Sequence, residues 1–425
     1  MQIVLFEDSG FAGLLPLTYW RAACELRCGG GSLLDHVRAC YPEASITLYV
    51  RPEIVAVVAE RTGLPVNIPP SSDDVLYLNA RALLRGRLED VRTPAAGWSG
   101  DTLVWADVRG PGARKFVPEV FLNPDLLRDM AERLPAVEAE ASRLALVRHP
   151  WDLVHANAEM IVRDWERLTD RGQHGRVYPG AHILEPVRVV IGAGSRIKPG
   201  VVLDAEEGPI VIGRDVTIQP NATVQGPCWI GDGTVVQTGV SVRGGTSIGP
   251  VCKIGGEIEG SILHGYSNKQ HDGFLGHAYV GEFVNLAADT VNSDLKNTYG
   301  PVRVPINGVE VDSGQIFVGL TIGDHSKTGI GQLFPTGAVV GFGSSIATSG
   351  LAPKFVPSFR WLTDDTDEPY DVDKCLSVAR IVMGRRNVAL TAAQERLFRL
   401  IPQIASRHER CAVRNGAAVG REAGI

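Results

Sequence analysis

Long apolar runs are missing from this 425-residue chain. No stretch approaches the roughly 18 consecutive apolar residues of a membrane span, which excludes a helical membrane protein. Positive charge is also short: 42 Lys and Arg against 48 Asp and Glu leave a formal net charge of −6. That balance argues against nucleic acid as a partner, while permitting a local basic pocket for phosphate. Cysteine is sparse and odd in number, seven in all. Cys24, Cys28, Cys40, Cys228, Cys252, Cys375 and Cys411 include no CxxC pair and no His at zinc-finger spacing. Reduced thiols are therefore expected, with neither a disulfide framework nor a zinc site. The opening residues, MQIVLFEDSG, carry an acidic pair where a secretory leader carries basic residues. A cytoplasmic protein is the expectation.

Glycine, by contrast, is abundant at 48 residues, with 26 prolines, which suits a turn-rich β structure more than a helix bundle. The length predicts two or three domains. Residues 1–150 alternate short apolar strands (QIVLFE, ASITLYV, DDVLYLNA) with helical patterns (GSLLDHVRACY, PEIVAVVAERTG). Such alternation predicts a parallel or mixed sheet in an α/β domain. NPDLLRDMAERL reads as a helix capped by Asn123 with Pro124 at its first position. An amphipathic helix within 151–176 is placed as a linker.

Residues 177–348 repeat every six positions. Ile191, Ile197 and Leu203 are followed, after the insertion AEEGP, by Ile212, Ile218, Val224, Ile230, Val236, Val242, Ile248 and Ile254. The count returns at Val280 and Leu286, then at Ile316, Ile322, Thr328, Phe334, Val340 and Ile346. A period of six is the signature of a β-solenoid: each hexad supplies a short strand and a turn, and stacked coils bury one aliphatic column. Between 254 and 280 the repeat is expected to break into a loop, SNKQHDGFLGH. Residues 349–425 then form a C-terminal helical extension, with helices in DVDKCLSVARIVMGRR and in TAAQERLFRLIPQIASRHERC, the second opened by a Thr391/Gln394 capping box. The tail, NGAAVGREAGI, is expected to fray.

An α/β domain, a connecting helix and a hexapeptide solenoid in this order resembles the GlmU-like family of N-acetylglucosamine-1-phosphate uridyltransferase/glucosamine-1-phosphate acetyltransferases. The similarity is greatest to its alternative bacterial branch of sugar nucleotidyltransferases. It is carried by LLPLTYWRAACELRCGG, VLYLNAR, PWDLVHANAEMI, the long stretch from GPVCKIGGEIEG to NSDLKN, and GDHSKTGI. The resemblance implies an α/β nucleotidyltransferase-like domain and a left-handed parallel β-helix that assembles as a homotrimer. It also implies acetyl-CoA as cosubstrate and a sugar phosphate or nucleotide sugar as substrate.

The family pattern H-x-x-[YF]-L-G-x-A, followed by Asn, matches HDGFLGHA and Asn285, which makes His271 the implied general base. An amine attacking a thioester loses a proton as the bond forms, and an imidazole accepts it near neutral pH. Glu257 is a candidate carboxylate partner for that imidazole. Lys269, Asn285, Asn292 and Lys296 are candidate substrate contacts, and Lys327 a candidate for coenzyme A phosphates. His277 reads as structural. Phe274 stands where the family has a phosphate-contacting Tyr, so the acceptor is expected to differ. In the N-terminal domain the family's Gly-rich triphosphate loop is absent. Arg21, Arg27, Gly29 and Gly30 are the substitutes the sequence offers, with Asn79 in place of a metal-binding Asp. Asp8 or Asn157 is then left to hold Mg2+. Two function classes stay open on the sequence: a sugar-phosphate acyltransferase with a nucleotidyltransferase-like domain, or a non-catalytic trimeric protein that binds a nucleotide sugar.

Overall fold

A computed structural model describes residues 1–88, 94–139 and 143–410; Cys411 and the expected frayed tail lie outside them. The first strand, Gln2–Phe6, is flanked in parallel by Ser45–Tyr49 and Val75–Asn79. Antiparallel Thr102–Val108 and Ala95–Ser99 follow, and Ala136–Glu138 closes the sheet. Every residue of Gln2–Phe6 and Val75–Asn79 is buried, as apolar parallel strands covered on both faces require. From Gln2–Phe6 the chain adds its next strand on one side and the following one on the other. A strand-order switch therefore lies between Phe6 and Asn79, where open α/β sheets take their ligands. The helix Pro124–Ala131 is capped as expected, Asn123 accepting from the amides of Asp125 and Leu126.

The solenoid is a left-handed parallel β-helix. One of its faces is a nine-stranded parallel sheet, with Ile191, Ile212, Ile230, Ile248, Leu263, Val280, Ile322, Val340 and Val356 in one register. The repeat does not break between 254 and 280. Ile258, Leu263, Lys269 and Leu275 continue the buried column, and shorter corners after Ile254 and Ile258 shift the count. His271 accordingly sits at a corner of a regular coil, not on a projecting loop.

The excursion lies later in the chain. After Asn292 the chain leaves the column and builds the hairpin Arg303–Ile306/Val309–Asp312, which packs on Trp151. Ile316, expected inside the column, belongs to this excursion and is 46% exposed.

The expected boundary at 348 falls within the solenoid, because Phe355–Val356 and Arg360–Thr363 pair with the coils below them. The C-terminal helices Val372–Gly384 and Ala392–His408 fold back on the N-terminal domain. Leu397, Phe398 and Ile401 share one core with Trp20 and Val58 of that domain and with Tyr279 and Phe342 of the solenoid. The linker helix Pro150–Arg167 lies along the solenoid, with Asn157 bonded to Gly245. Its capping box ties Asp152 to the amide of His149. Among the described residues, no helix is long and apolar enough to cross a membrane.

Candidate functional site

The stretch Arg21–Gly31 follows the first strand but faces the solenoid. Arg21 is completely buried and binds Asp324 through both terminal nitrogens, at 2.6 and 3.2 Å, and Glu282 at 2.8 Å. Burial alone would push its proton off; Asp324 and Glu282 overcome this and hold the guanidinium above its ordinary range. Glu282, which burial would neutralise, is held well below the carboxylate range by Arg21. Arg27 donates to the carbonyls of His264 and Gly30. Gly29, at φ +65°, is pressed against the linker helix: a Cβ there would lie 2.5 Å from the Asp164 carboxylate, and one at Gly30 would lie 2.7 Å from the Trp229 ring. Arg21 has no face left for a phosphate, and the two glycines serve domain docking. These nucleotide-binding expectations are corrected accordingly.

The cleft at the strand-order switch is instead lined by Asp8, Gly10, Arg81, Asp101, Arg128, Arg148 and His149, and encloses about 340 Å³. Arg81 clamps the Asp8 carboxylate at 2.8 and 2.5 Å, and the Asn79 amide donates to it at 2.9 Å. Arg128 and Arg148 remain largely exposed at its rim. His149 stacks on Trp151 at 4.2 Å, and burial lowers its pKa. Sequence reading missed Arg81, Arg128, Arg148 and His149. Only the position of Arg81, just beyond the third strand, signalled it.

The residues assigned to Mg2+ do not fit a divalent cation. The Asp8 carboxylate already accepts from Arg81, Asn79 and the Gly10 amide. Asn157 is buried, its oxygen accepting from Gly29 and Ser247 and its amide donating to Gly245. Asn79 spends its oxygen on the Arg81 amide. Hard cations need free oxygen donors, and among the described residues no group of three or more His, Cys, Asp or Glu is arranged to hold a metal.

On the solenoid, His271 is exposed, and its imidazole has no hydrogen-bond partner among the described residues. Its expected carboxylate partner, Glu257, is instead bound by Arg243 at 2.7 Å. Lys269 is wholly buried in the column, where its register partner one coil below is Ile254. Its ammonium donates to the carbonyls of His271 and Asp272 at 2.5 and 2.7 Å, and burial lowers its pKa to about 8. It pins the corner instead of meeting a substrate phosphate.

Asn292 is likewise internal, exchanging bonds with the amide and carbonyl of Gly276. Asn285 accepts from Asn268 within the ladder. Lys296 donates to the carbonyl of Pro301. Lys327 donates to that of His325, and burial depresses its pKa, so it does not fit a coenzyme A phosphate. His277, read as structural, carries a carboxylate: its Nδ1 lies 2.8 Å from Asp294.

Residues 3–173 match the sugar nucleotidyl transferase family model, and residues 209–244 match the bacterial transferase hexapeptide model of six repeats. Bifunctional protein GlmU of Synechococcus elongatus is 26% identical over 45% of this chain and 43% of its own. That of a Geobacillus species is 34% identical over 34% of this chain and 35% of its own. The chain thus spans less than half the length of these relatives. A crystal structure of UDP-N-acetylglucosamine acyltransferase overlaps 56% of this chain and 91% of its own, at 15% identity and a TM-score of 0.21. The chain thus joins a region that matches the sugar nucleotidyl transferase model to one that matches hexapeptide repeats, and is similar to GlmU proteins over less than half of its length.

Proposed function

We propose that the chain is a transferase acting on sugar phosphates or nucleotide sugars, with acyl transfer from acetyl-CoA on the solenoid and nucleotide recognition in the switch cleft. The observation that carries this reading is the union, in one chain, of a matched nucleotidyltransferase-type domain with a matched hexapeptide solenoid. The solenoid presents exposed imidazole on a rigid column, as general base catalysis of acyl transfer requires. His271 is the imidazole that the resemblance assigns to this task. The cleft offers Arg128 and Arg148, whose guanidinium groups suit a polyphosphate.

Release of free coenzyme A from acetyl-CoA, assayed with a panel of amino-sugar phosphates, tests the transfer. Release that depends on an acceptor supports it, and no release with any acceptor overturns it.

A second reading is favoured for the N-terminal domain alone. Asp8, Asn79 and Asn157 are all consumed by internal bonds, so this domain binds a nucleotide sugar without nucleotidyl chemistry. Retention of UDP-N-acetylglucosamine with no pyrophosphate formation from UTP and a sugar phosphate is its expected signature.

A homotrimer built through the solenoid belongs to the same proposal. Leu333 and Leu351 stack on successive coils at 39% and 66% exposure, with Ile330 at 81% beside them, an apolar outer stripe that a neighbouring subunit would cover. Light scattering should give about three times the 45.7 kDa chain mass. The six described cysteines are all free and five are buried, which fits the reducing cytoplasm.

A further inference from the structure

We infer that the switch cleft continues past Arg128 into a second cavity, where Trp98 stacks on the nucleobase of a ligand whose phosphates lie in the cleft. The inference rests on the nucleotide-recognition reading above and gives that site a specificity-determining residue. The first cavity encloses about 340 Å³ and the second about 320 Å³, and Trp98, Asp101 and Arg128 line both. Ligand pockets span roughly 300–1,000 Å³. Either cavity alone is at the small end of that range; the pair forms one site with two ends.

Trp98 is placed to stack. It stands where the strand Ala95–Ser99 slips register against Thr102–Val108, the shift falling between Gly97 and Trp98. Such a bulge re-aims the side chain beside it. Gly97 permits the geometry, since a Cβ there would lie 2.2 Å from Nε1 of Trp105. The indole is half-buried and packs against the core that holds Leu103, Phe121 and Leu127, while its remaining surface lines the two cavities. An aromatic ring fixed on one side and open on the other is a platform for a base.

The two ends differ in chemistry. The first carries the exposed guanidinium groups of Arg128 and Arg148, and Arg148 gives one terminal nitrogen to Ser99, next to Trp98. Asp101 is 98% exposed and lies 3.8 Å from Arg128, a pairing that water weakens and a phosphate displaces. The second end is walled by Ala131, Leu134 and Ala136, with Glu132 as its carboxylate. Glu132 is exposed, and its side chain makes no hydrogen bond or ion pair among the described residues.

Arg128 and Glu132 stand one turn apart at the end of the helix Pro124–Ala131, so charge changes sign along the site. An ionised carboxylate accepts hydrogen bonds and donates none. The ligand's far end is therefore a neutral ring with N–H on its edge and a flat apolar face, which describes a nucleobase. Its near end is anionic, which describes the phosphates.

The test is calorimetry on the full chain with UDP, ADP, GDP and CDP, with inorganic pyrophosphate, and with N-acetylglucosamine 1-phosphate. The variants are Trp98→Ala, Trp98→Phe, Glu132→Gln and Arg148→Ala, each with its thermal midpoint recorded. The parent should bind its preferred nucleotide more tightly than pyrophosphate. Trp98→Ala should weaken that nucleotide by about 10- to 100-fold, the scale of one lost stacking contact, and leave pyrophosphate within a few-fold. Trp98→Phe should keep most of the affinity. Glu132→Gln should change the ranking of the four nucleotides, and Arg148→Ala should weaken nucleotide and pyrophosphate together. A folded Trp98→Ala that binds nucleotide as the parent does overturns the inference and leaves the cleft reading standing. So does a parent that binds pyrophosphate as tightly as every nucleotide. If Trp98→Ala loses only N-acetylglucosamine 1-phosphate, the platform takes a sugar and the base assignment is wrong. Should Trp98→Ala fail to fold, an unchanged ranking in Glu132→Gln overturns the inference. A parent that binds neither nucleotide nor pyrophosphate overturns the cleft reading, and the inference with it.

Discussion

Arg21 and Arg81 each hold a carboxylate through two nitrogens, yet they occupy opposite kinds of place. The carboxylates of Arg21 come from the solenoid, at Glu282 and Asp324, and all sides of its guanidinium are buried. Arg81 holds Asp8 within its own domain, at the edge of a cleft whose other arginines face solvent. Both lie beyond the ends of parallel strands, where ligands bind in such sheets. What separates them is the partner packed against the loop. A cation sealed between domains holds them together, and in the cleft it is the solvent-facing Arg128 and Arg148, not Arg81 itself, that can reach a ligand.

The sharpest way to break this contrast is Arg21→Ala, which leaves Asp324 buried without its cation and Glu282 with only His264 beside it. Losing one partner of a buried ion pair costs about 3–5 kcal/mol, and denaturant unfolding should show a loss of that order. Adding Asp324→Asn should return part of it. A loss below about 1 kcal/mol, the scale of an exposed pair, would mean that the cluster is open to water after all.

The cleft predicts a change in affinity instead of stability. Arg128→Ala combined with Arg148→Ala should weaken UTP or UDP-sugar binding by about 10- to 100-fold, from charged hydrogen bonds worth about 1.5–3 kcal/mol. The ligand-free melting midpoint should barely move. Arg27→Ala should leave affinity unchanged in the same calorimetry. A loss on Arg27→Ala alone would return recognition to the first loop.

The smallest effect concerns pH on the sealed side. His325 is buried among Trp20, Phe283, Phe342 and Phe398, and neither ring nitrogen has a hydrogen-bond partner among the described residues. Burial, with Lys327 nearby, holds its pKa well below 6.5; Glu282 opposes this, while Arg21 and Arg61 add to it. His264 is shifted the same way, first by burial and then by Arg21. The unfolded chain therefore binds protons that the folded one refuses. Stability is fully present above about pH 6.5 and declines below it, by at most about 1.4 kcal/mol per pH unit for each histidine. His325→Phe should flatten the slope between pH 6.5 and 5; an unchanged slope assigns the acid sensitivity elsewhere.

The column was legible in the sequence because its period is local: each hexad states its own inward residue. Legibility failed where geometry replaced hydrophobicity. Lys269 occupies a column position that an apolar count passes over, and the shortened corners before it made a regular coil look like a loop. Ile316 kept the count by coincidence inside the excursion. Arg21 was misread because its partners lie 261 and 303 positions away, beyond any spacing rule. The switch cleft escaped for a similar reason: Arg81, Arg128 and Arg148 come from separate elements that only the sheet brings together. His277 and Asp294 face each other only once the coils stack.

The single core shared by the N-terminal domain, the solenoid and the last helices sets an order of events during synthesis. Tyr19 bonds to Glu409, 390 residues later, and the carbonyl of Ala12 accepts from Asn307. The segment around Ala12 and Tyr19 therefore waits, its apolar surface uncovered, until the helix Ala392–His408 emerges. Contacts of such sequence separation close slowly, and waiting surfaces are exposed to aggregation. A chain cut before residue 392 would lack the helix carrying Leu397, Phe398 and Ile401. Its two earlier parts would stay unfinished, however complete their own sequences.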